Sequence, residues 1–187
     1  MGETPATVRV WDPFVRLFHW SLVAAYAVSY LTQEQEYELH VAAGYAVAGL
    51  VVFRVVWGFV GPRRSRFSDF VQGPGRVFGY LISLLRGNAV RHIGHNPAGG
   101  AMIVAQLVLL VAISVSGVAL DAAENRSGPL ADTRLFLYTD AIEDVHEGAT
   151  NVSLALIALH LIGVAASSRA HRENLVLSMI TGRKRAE

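Results

Sequence analysis

VHEGATNVSLALIALH, residues 145–160, sets His146 and His160 14 positions apart in a stretch that otherwise has the composition of a membrane-spanning helix. At 3.6 residues per turn and 1.5 Å rise, that spacing puts both imidazoles on one helix face, roughly 21 Å apart along the axis. Two further histidines, His19 and His40, open two other apolar stretches. A helix that carries ligand-type side chains at two depths, with matching partners elsewhere, is the pattern around which the fold is read.

The chain is short enough for one domain, 1–187, and its 52% hydrophobic content is too high for an ordinary soluble one. It reads as a small polytopic membrane protein. With no cysteine present, disulfides, zinc–thiolate sites, iron–sulfur clusters, thioether-attached haem and thiol catalysis are excluded. Histidine remains as the metal ligand. No nucleic-acid partner is expected. The opening MGETPATVRVWDPFV, residues 1–15, lacks the apolar core and small-residue cleavage site of a signal peptide, so it is expected to stay on the mature chain, with the first span as an uncleaved anchor.

A hydrocarbon core requires about 20 helical residues. Four stretches approach that length: Leu17–Thr32, Leu39–Val60, Gly100–Leu120 and Ala149–Ser168, with helical spans at about 14–32, 39–60, 100–120 and 146–168. An all-α transmembrane four-helix bundle follows. Arg and Lys are retained on the cytoplasmic side. Arg9, Arg16, Arg63, Arg64, Arg66, Arg76, Arg86, Arg91, Arg169, Arg172, Arg183, Lys184 and Arg185 all fall before the first span, between the second and third, or after the fourth. The other side has only Arg126 and Arg134, and it gathers Glu34, Glu36, Glu38, Asp121, Glu124, Asp132, Asp140, Glu143, Asp144 and Glu147. Both termini are expected in the cytoplasm, in the bacterial inner membrane, with an acidic periplasmic surface.

The connection Gly61–Gly99 contains a breaker, Gly73-Pro74-Gly75, followed by Val77, Tyr80, Leu81, Leu84 and Leu85 at spacings of three and four. A short helix lying in the membrane interface is expected there, rather than a fifth packed helix of a cap. The polar connection Asp121–Asp144, with Gly128-Pro129 inside it, is expected to fold back over the bundle mouth.

With alternating topology, His19 and His160 lie toward the cytoplasmic side and His40 and His146 toward the periplasmic side. A lone membrane histidine is often an interhelical hydrogen-bonder. Two depth-matched pairs call for more. Bis-histidine ligation fills both axial positions of a haem iron, leaving it to pass electrons and bind no substrate. Gly44, Gly148 and Gly163 follow the histidines closely, where a porphyrin needs near approach of backbone, although small residues also serve plain helix packing. Arg54 stands 14 residues after His40, on the same face and about 21 Å deeper. Two readings of it remain open: pairing with a haem propionate, which is preferred, and snorkelling to cytoplasmic phosphates. His92 and His95 border the third span as a spare ligand, a proton relay near a quinone or part of the helix entry, the last preferred for His92. His171 reads as solvated and interfacial. Gln106, Ser114 and Ser116 read as packing groups.

RLFHW (16–20), HVAAGYAVAGLVVFRVVWGFVG (40–61), FSDFVQGPGRVFGYL (67–81), GHNPAGG (94–100), the 145–160 segment and MITGRK (179–184) together resemble the bacterial cytochrome b561 and nickel-hydrogenase b-type cytochrome family over nearly the whole chain. The resemblance implies a four-helix bundle holding two non-covalent b haems, with His19, His40, His146 and His160 as ligands. It also implies electron transfer between a periplasmic redox partner, such as a cytochrome, and the quinone pool or another membrane carrier. Two alternatives stand beside this reading. One is a stand-alone quinone oxidoreductase acting on a small periplasmic species such as superoxide, as in some relatives. The other is a haem-free transporter or scaffold.

Overall fold

The computed structural model describes residues 6–186; residues 1–5, which begin the stretch expected to stay on the mature chain, lie outside the described part. The chain forms β1 (Thr7–Arg9), α1 (Pro13–Thr32), α2 (Tyr37–Val60), α3 (Phe67–Phe70), α4 (Pro74–Leu85), α5 (Pro97–Asn125), α6 (Thr139–Ala170), α7 (Leu175–Thr181) and β2 (Arg183–Arg185). The four long helices α1, α2, α5 and α6 are each long and apolar enough to cross a membrane. Many of their large apolar side chains, among them Leu31, Val52, Val108, Val115, Leu161 and Ile162, are exposed. In water such surfaces aggregate, whereas in lipid they are the ordinary outer face of a helix bundle. The all-α membrane architecture expected from the sequence is the one observed, with a helix at 74–85 inside the long connection.

Local chemistry sets the helix ends. Asp12 caps α1, its Oδ1 accepting from the backbone N–H of Phe14 (2.9 Å) and Val15 (3.1 Å), with Pro13 at the first helical position. Asn96 caps α5 by accepting from Gly99 N (2.7 Å), so that helix begins at Pro97. α6 starts at Thr139, ahead of the apolar stretch that signals it, because its first turns are polar yet helical.

Two compact units are distinguishable within the chain. The first gathers residues 6–18, Arg54–Val104 and residues 157–186. In it, β1 and β2 pair antiparallel, Val8 opposite Lys184. Gly182 makes this possible: it ends α7 in the left-handed region at φ 78°, and its carbonyl accepts from Val10 N (2.8 Å) and Trp11 N (3.2 Å). A Cβ at Gly182 would stand 2.8 Å from the Trp11 carbonyl oxygen, so a side chain is excluded by space as well as by φ. Trp11 Nε1 reaches Ser178 Oγ (3.4 Å), and buried Lys184 lies over the Trp11 ring (5.7 Å). Glu173 pairs with Arg91 (2.9 Å) and Lys184 (3.8 Å). The MITGRK motif is thus a clasp that fastens the C-terminal segment to the N-terminal one.

The second unit comprises His19–Phe53 and Ala105–Leu156. Polar contacts link its helices pairwise. Ser29 of α1 meets His40 of α2, Tyr37 of α2 meets Asp121 of α5, and Gln106 of α5 meets Ser153 of α6. The connection after α5 turns at Gly128 (φ 71°), where a Cβ would lie 2.5 Å from Tyr45 Oη and 3.0 Å from Asp121 Oδ2. The Gly128-Pro129 segment therefore does fold back onto the ends of α2 and α5.

Candidate functional site

A cavity of about 510 Å³ lies inside the second unit, lined from α1, α2, α5 and α6, and both His40 and His146 face it. Their ring centroids are 6.3 Å apart at an interplanar angle of 71°. A metal–imidazole bond is about 2 Å and each ring adds about 1 Å from nitrogen to centre, so a single metal atom held between two imidazoles needs about 6 Å. The observed separation fits that requirement.

Each ring is fixed through its other nitrogen. His40 Nδ1 lies 2.8 Å from the Ser29 carbonyl oxygen and 3.3 Å from Ser29 Oγ. His146 Nδ1 lies 3.1 Å from both the Ile113 carbonyl oxygen and Ser116 Oγ. A carbonyl only accepts, so Nδ1–H donates in both cases, which leaves Nε2 with a free lone pair. This is the arrangement by which metal-binding histidines are oriented and their tautomer set. The close approach of His146 to α5 relies on Gly117, where a Cβ would be 3.0 Å from His146 Cε1. Gly44 also lines the cavity and has open space where a Cβ would project. Among the described residues no group of three or more His, Cys, Asp or Glu forms a metal site, so a metal here needs ligands beyond the protein's own. A porphyrin would bring four nitrogens of its own, and the paired histidines match in type and number the further ligands its iron would take.

Sequence reasoning missed Ser29, Ile113, Ser116 and Gly117, and assigned Ser116 to packing. The third long helix, α5, holds no ligand candidate, yet it orients one. No sequence signal identifies the free carbonyl of Ile113, because its availability depends on which helix lies alongside.

The other two histidines fall in different units. His19, in the second unit, packs edge-on against Trp20 (5.0 Å), whereas His160, in the first, is exposed on α6.

Arg54, in the first unit, is 3% exposed. It does not snorkel outward. Its guanidinium sits over the rings of Phe67 (5.2 Å) and Phe70 (5.7 Å), and its Nη1 is buried without a hydrogen bond. Asp12 is the anion that acts on it electrostatically. That carboxylate is already engaged by two backbone N–H groups, by Ser65 Oγ and by Trp57 Nε1 (3.5 Å). A buried guanidinium with a spare donor and no ion pair among the described residues is suited to an anionic cofactor group. His95 is wedged between Trp11 (4.5 Å) and Phe70 (4.7 Å). Burial, with Arg54 and Lys184 nearby, holds its pKa down at about 3, so it stands neutral. His92 turns Nδ1 to the Val90 carbonyl (2.9 Å) and borders a shallow groove with Gln72, Arg76, Tyr80 and Ser83. His171 is half-buried rather than solvated, and burial first, with Arg91 second, lowers its pKa.

Comparison with known proteins bears on the family. The prokaryotic cytochrome b561 family matches residues 10–182. A probable Ni/Fe-hydrogenase B-type cytochrome subunit from Bradyrhizobium diazoefficiens is 25% identical over 213 aligned positions, covering 95% of this chain and 86% of the relative. No solved structure matches. With four membrane-type helices and a family match over almost its full length, the chain belongs to the prokaryotic cytochrome b561 family and is a multi-pass membrane protein that carries b-type haem and transfers electrons.

Proposed function

We propose that the protein is a single-domain di-haem cytochrome that moves electrons across the bacterial inner membrane between a periplasmic redox partner and the quinone pool or another membrane carrier. His40 and His146 hold one haem; His19 and His160, paired by their depth in the sequence, hold the other. The observation that carries this reading is the facing pair of imidazoles, 6.3 Å apart in one cavity, each tied down through Nδ1. When bound, haem would supply one-electron chemistry, and the histidine pairs would hold it. The chain's own part is to fix the rings, keep water out and set the local charge. Gly44 gives the cofactor room, and Arg54 pairs with a propionate of the His19/His160 haem.

The groove beside Tyr80 and His92 is the proposed place for a quinone headgroup, since it lies in the 61–99 connection on the Arg-rich side. A hydrogenase-type relative points to a redox protein as the periplasmic partner. Direct action on superoxide is the weaker reading, because that anion would meet Glu34, Asp121, Glu124, Glu143 and Glu147 around the His40/His146 cavity.

The test is a reduced-minus-oxidised spectrum with haem stoichiometry on purified wild type, His146→Ala and His160→Ala. Two haems per chain are expected, with each variant losing a different spectral component. Loss of the same component from both variants, or one haem per chain in the wild type, overturns the two-site assignment.

A further inference from the structure

The cavity that holds His40 and His146 is unusual in its charge. Five carboxylates line it, and its lining includes no Lys or Arg. Four of the five, Glu34, Glu124, Glu143 and Glu147, are exposed, so solvent and salt screen them. Asp121 is different, at 6% exposed. Tyr37 Oη donates to Asp121 Oδ1, and Asn125 Nδ2 donates to Tyr37 Oη (2.7 Å), which leaves the phenolic proton directed at the carboxylate. The backbone at Gly128 closes over Asp121 Oδ2 and Tyr45 Oη. Among the described residues no cation pairs with Asp121. It is a buried, hydrogen-bonded carboxyl group without a cationic partner among the described residues, in the wall of the His40/His146 cavity.

Resting on the reading of that cavity as a haem site, we propose that Asp121 sets the redox potential of the haem held by His40 and His146, keeping it low. Reduction adds an electron to the iron and lowers the positive charge of the centre by one. A nearby fixed anion favours the oxidised form, and the buried one acts with the least screening. At an effective dielectric of about 20, one such charge across a cavity of this size is worth roughly tenfold in an equilibrium constant. Tyr37 is a positioning residue: its hydroxyl withdraws part of the charge and holds the carboxylate against the cavity wall.

Spectroelectrochemical titration of the haem-loaded protein tests this, following the component that His146→Ala abolishes. Asp121→Asn is expected to raise the reduced-to-oxidised ratio of that component about tenfold at a fixed poise, about 59 mV for a one-electron couple, and to leave the other component unmoved. Asp121→Glu retains a potential near that of the wild type. Tyr37→Phe, which keeps the charge and removes its donor, shifts the same component by a smaller amount in the opposite direction. Glu124→Gln, at an exposed carboxylate, has a much smaller effect. An unchanged potential in Asp121→Asn, an equal rise in both components, or a shift of the same sign in Tyr37→Phe overturns the proposal. Should Asp121→Asn fail to hold haem, the sign of the Tyr37→Phe shift decides alone. Absence of haem from the wild type would sink the underlying reading instead, and is seen in the spectrum before any titration.

Discussion

Arg54 is a charged side chain buried in a membrane-type helix, where desolvation is costly. A guanidinium buried to this degree, with aromatic faces on two sides and one N–H unfilled, persists only when something anionic repays its desolvation. If that group is a haem propionate, the positive charge also stabilises the reduced iron. Arg54→Leu is therefore expected to lower the potential of the component lost in His160→Ala by an amount on the order of 59 mV, a tenfold change for one electron, with the other component unchanged. Redox titration of the two components checks this, and an unaltered curve would argue that Arg54 serves packing alone. The candidate ligand residues stood out in the sequence because intramembrane histidine and arginine are costly enough to demand a reason. What orients His40 and His146 was not legible: Ser29 and Ser116 look like any small helix-packing residues, and the Ser29 and Ile113 carbonyls look like any others. Asp121 was visible only as part of an acidic count. Its burial, which separates it from the other carboxylates, depends on how the Gly128 turn folds back.

Among the elements, α4 shows how a pattern can be read correctly in outline and incompletely in detail. The stripe Val77, Tyr80, Leu84 faces inward, with Tyr80 buried, while Phe78, Leu81, Ile82 and Leu85 form a second apolar face that is exposed, Leu85 to 88%. A helix apolar on both sides needs a second apolar medium, and the edge of the bilayer provides one. The cysteine-free chain allows a clean test. A dye on Leu85→Cys or Phe78→Cys in lipid vesicles is expected to be quenched by nitroxide carried near the lipid headgroups, and a dye on Ser83→Cys to be spared; equal quenching at all three positions would remove the interfacial assignment. Helix existence followed from hydropathy, but helix ends did not. α6 reaches back to Thr139 through Asp140, Glu143 and Asp144, residues that a hydropathy reading excludes although nothing in their backbone opposes a helix. The β1–β2 clasp left no signal at all, since three-residue strands such as Arg183–Arg185 are too short to show alternation.

For the whole molecule, the distribution of charge supports the proposed orientation and the side from which a partner would approach. Basic residues are concentrated before or at the start of α1, between α2 and α5 and at or after the end of α6, and acidic ones on the connections α1–α2 and α5–α6 and on the helix ends that flank them. On the proposed topology, retention of Arg and Lys in the cytoplasm would put both termini inside and the acidic mouth of the His40/His146 cavity outside. A field of that sign attracts basic donors and repels anions, and its reach shrinks to about 8 Å at physiological ionic strength. The orientation is open to direct measurement, because exposed Asn88 and Asp132 fall on opposite sides of the expected topology. In cells with a permeabilised outer membrane, an impermeant maleimide is expected to label Asp132→Cys at once and Asn88→Cys only after the inner membrane is broken. The reverse pattern would place the carboxylate-lined cavity in the cytoplasm. Electrons from a periplasmic partner would then have to enter at the Arg54 side, and the charges of the two sites would oppose the proposed role of each.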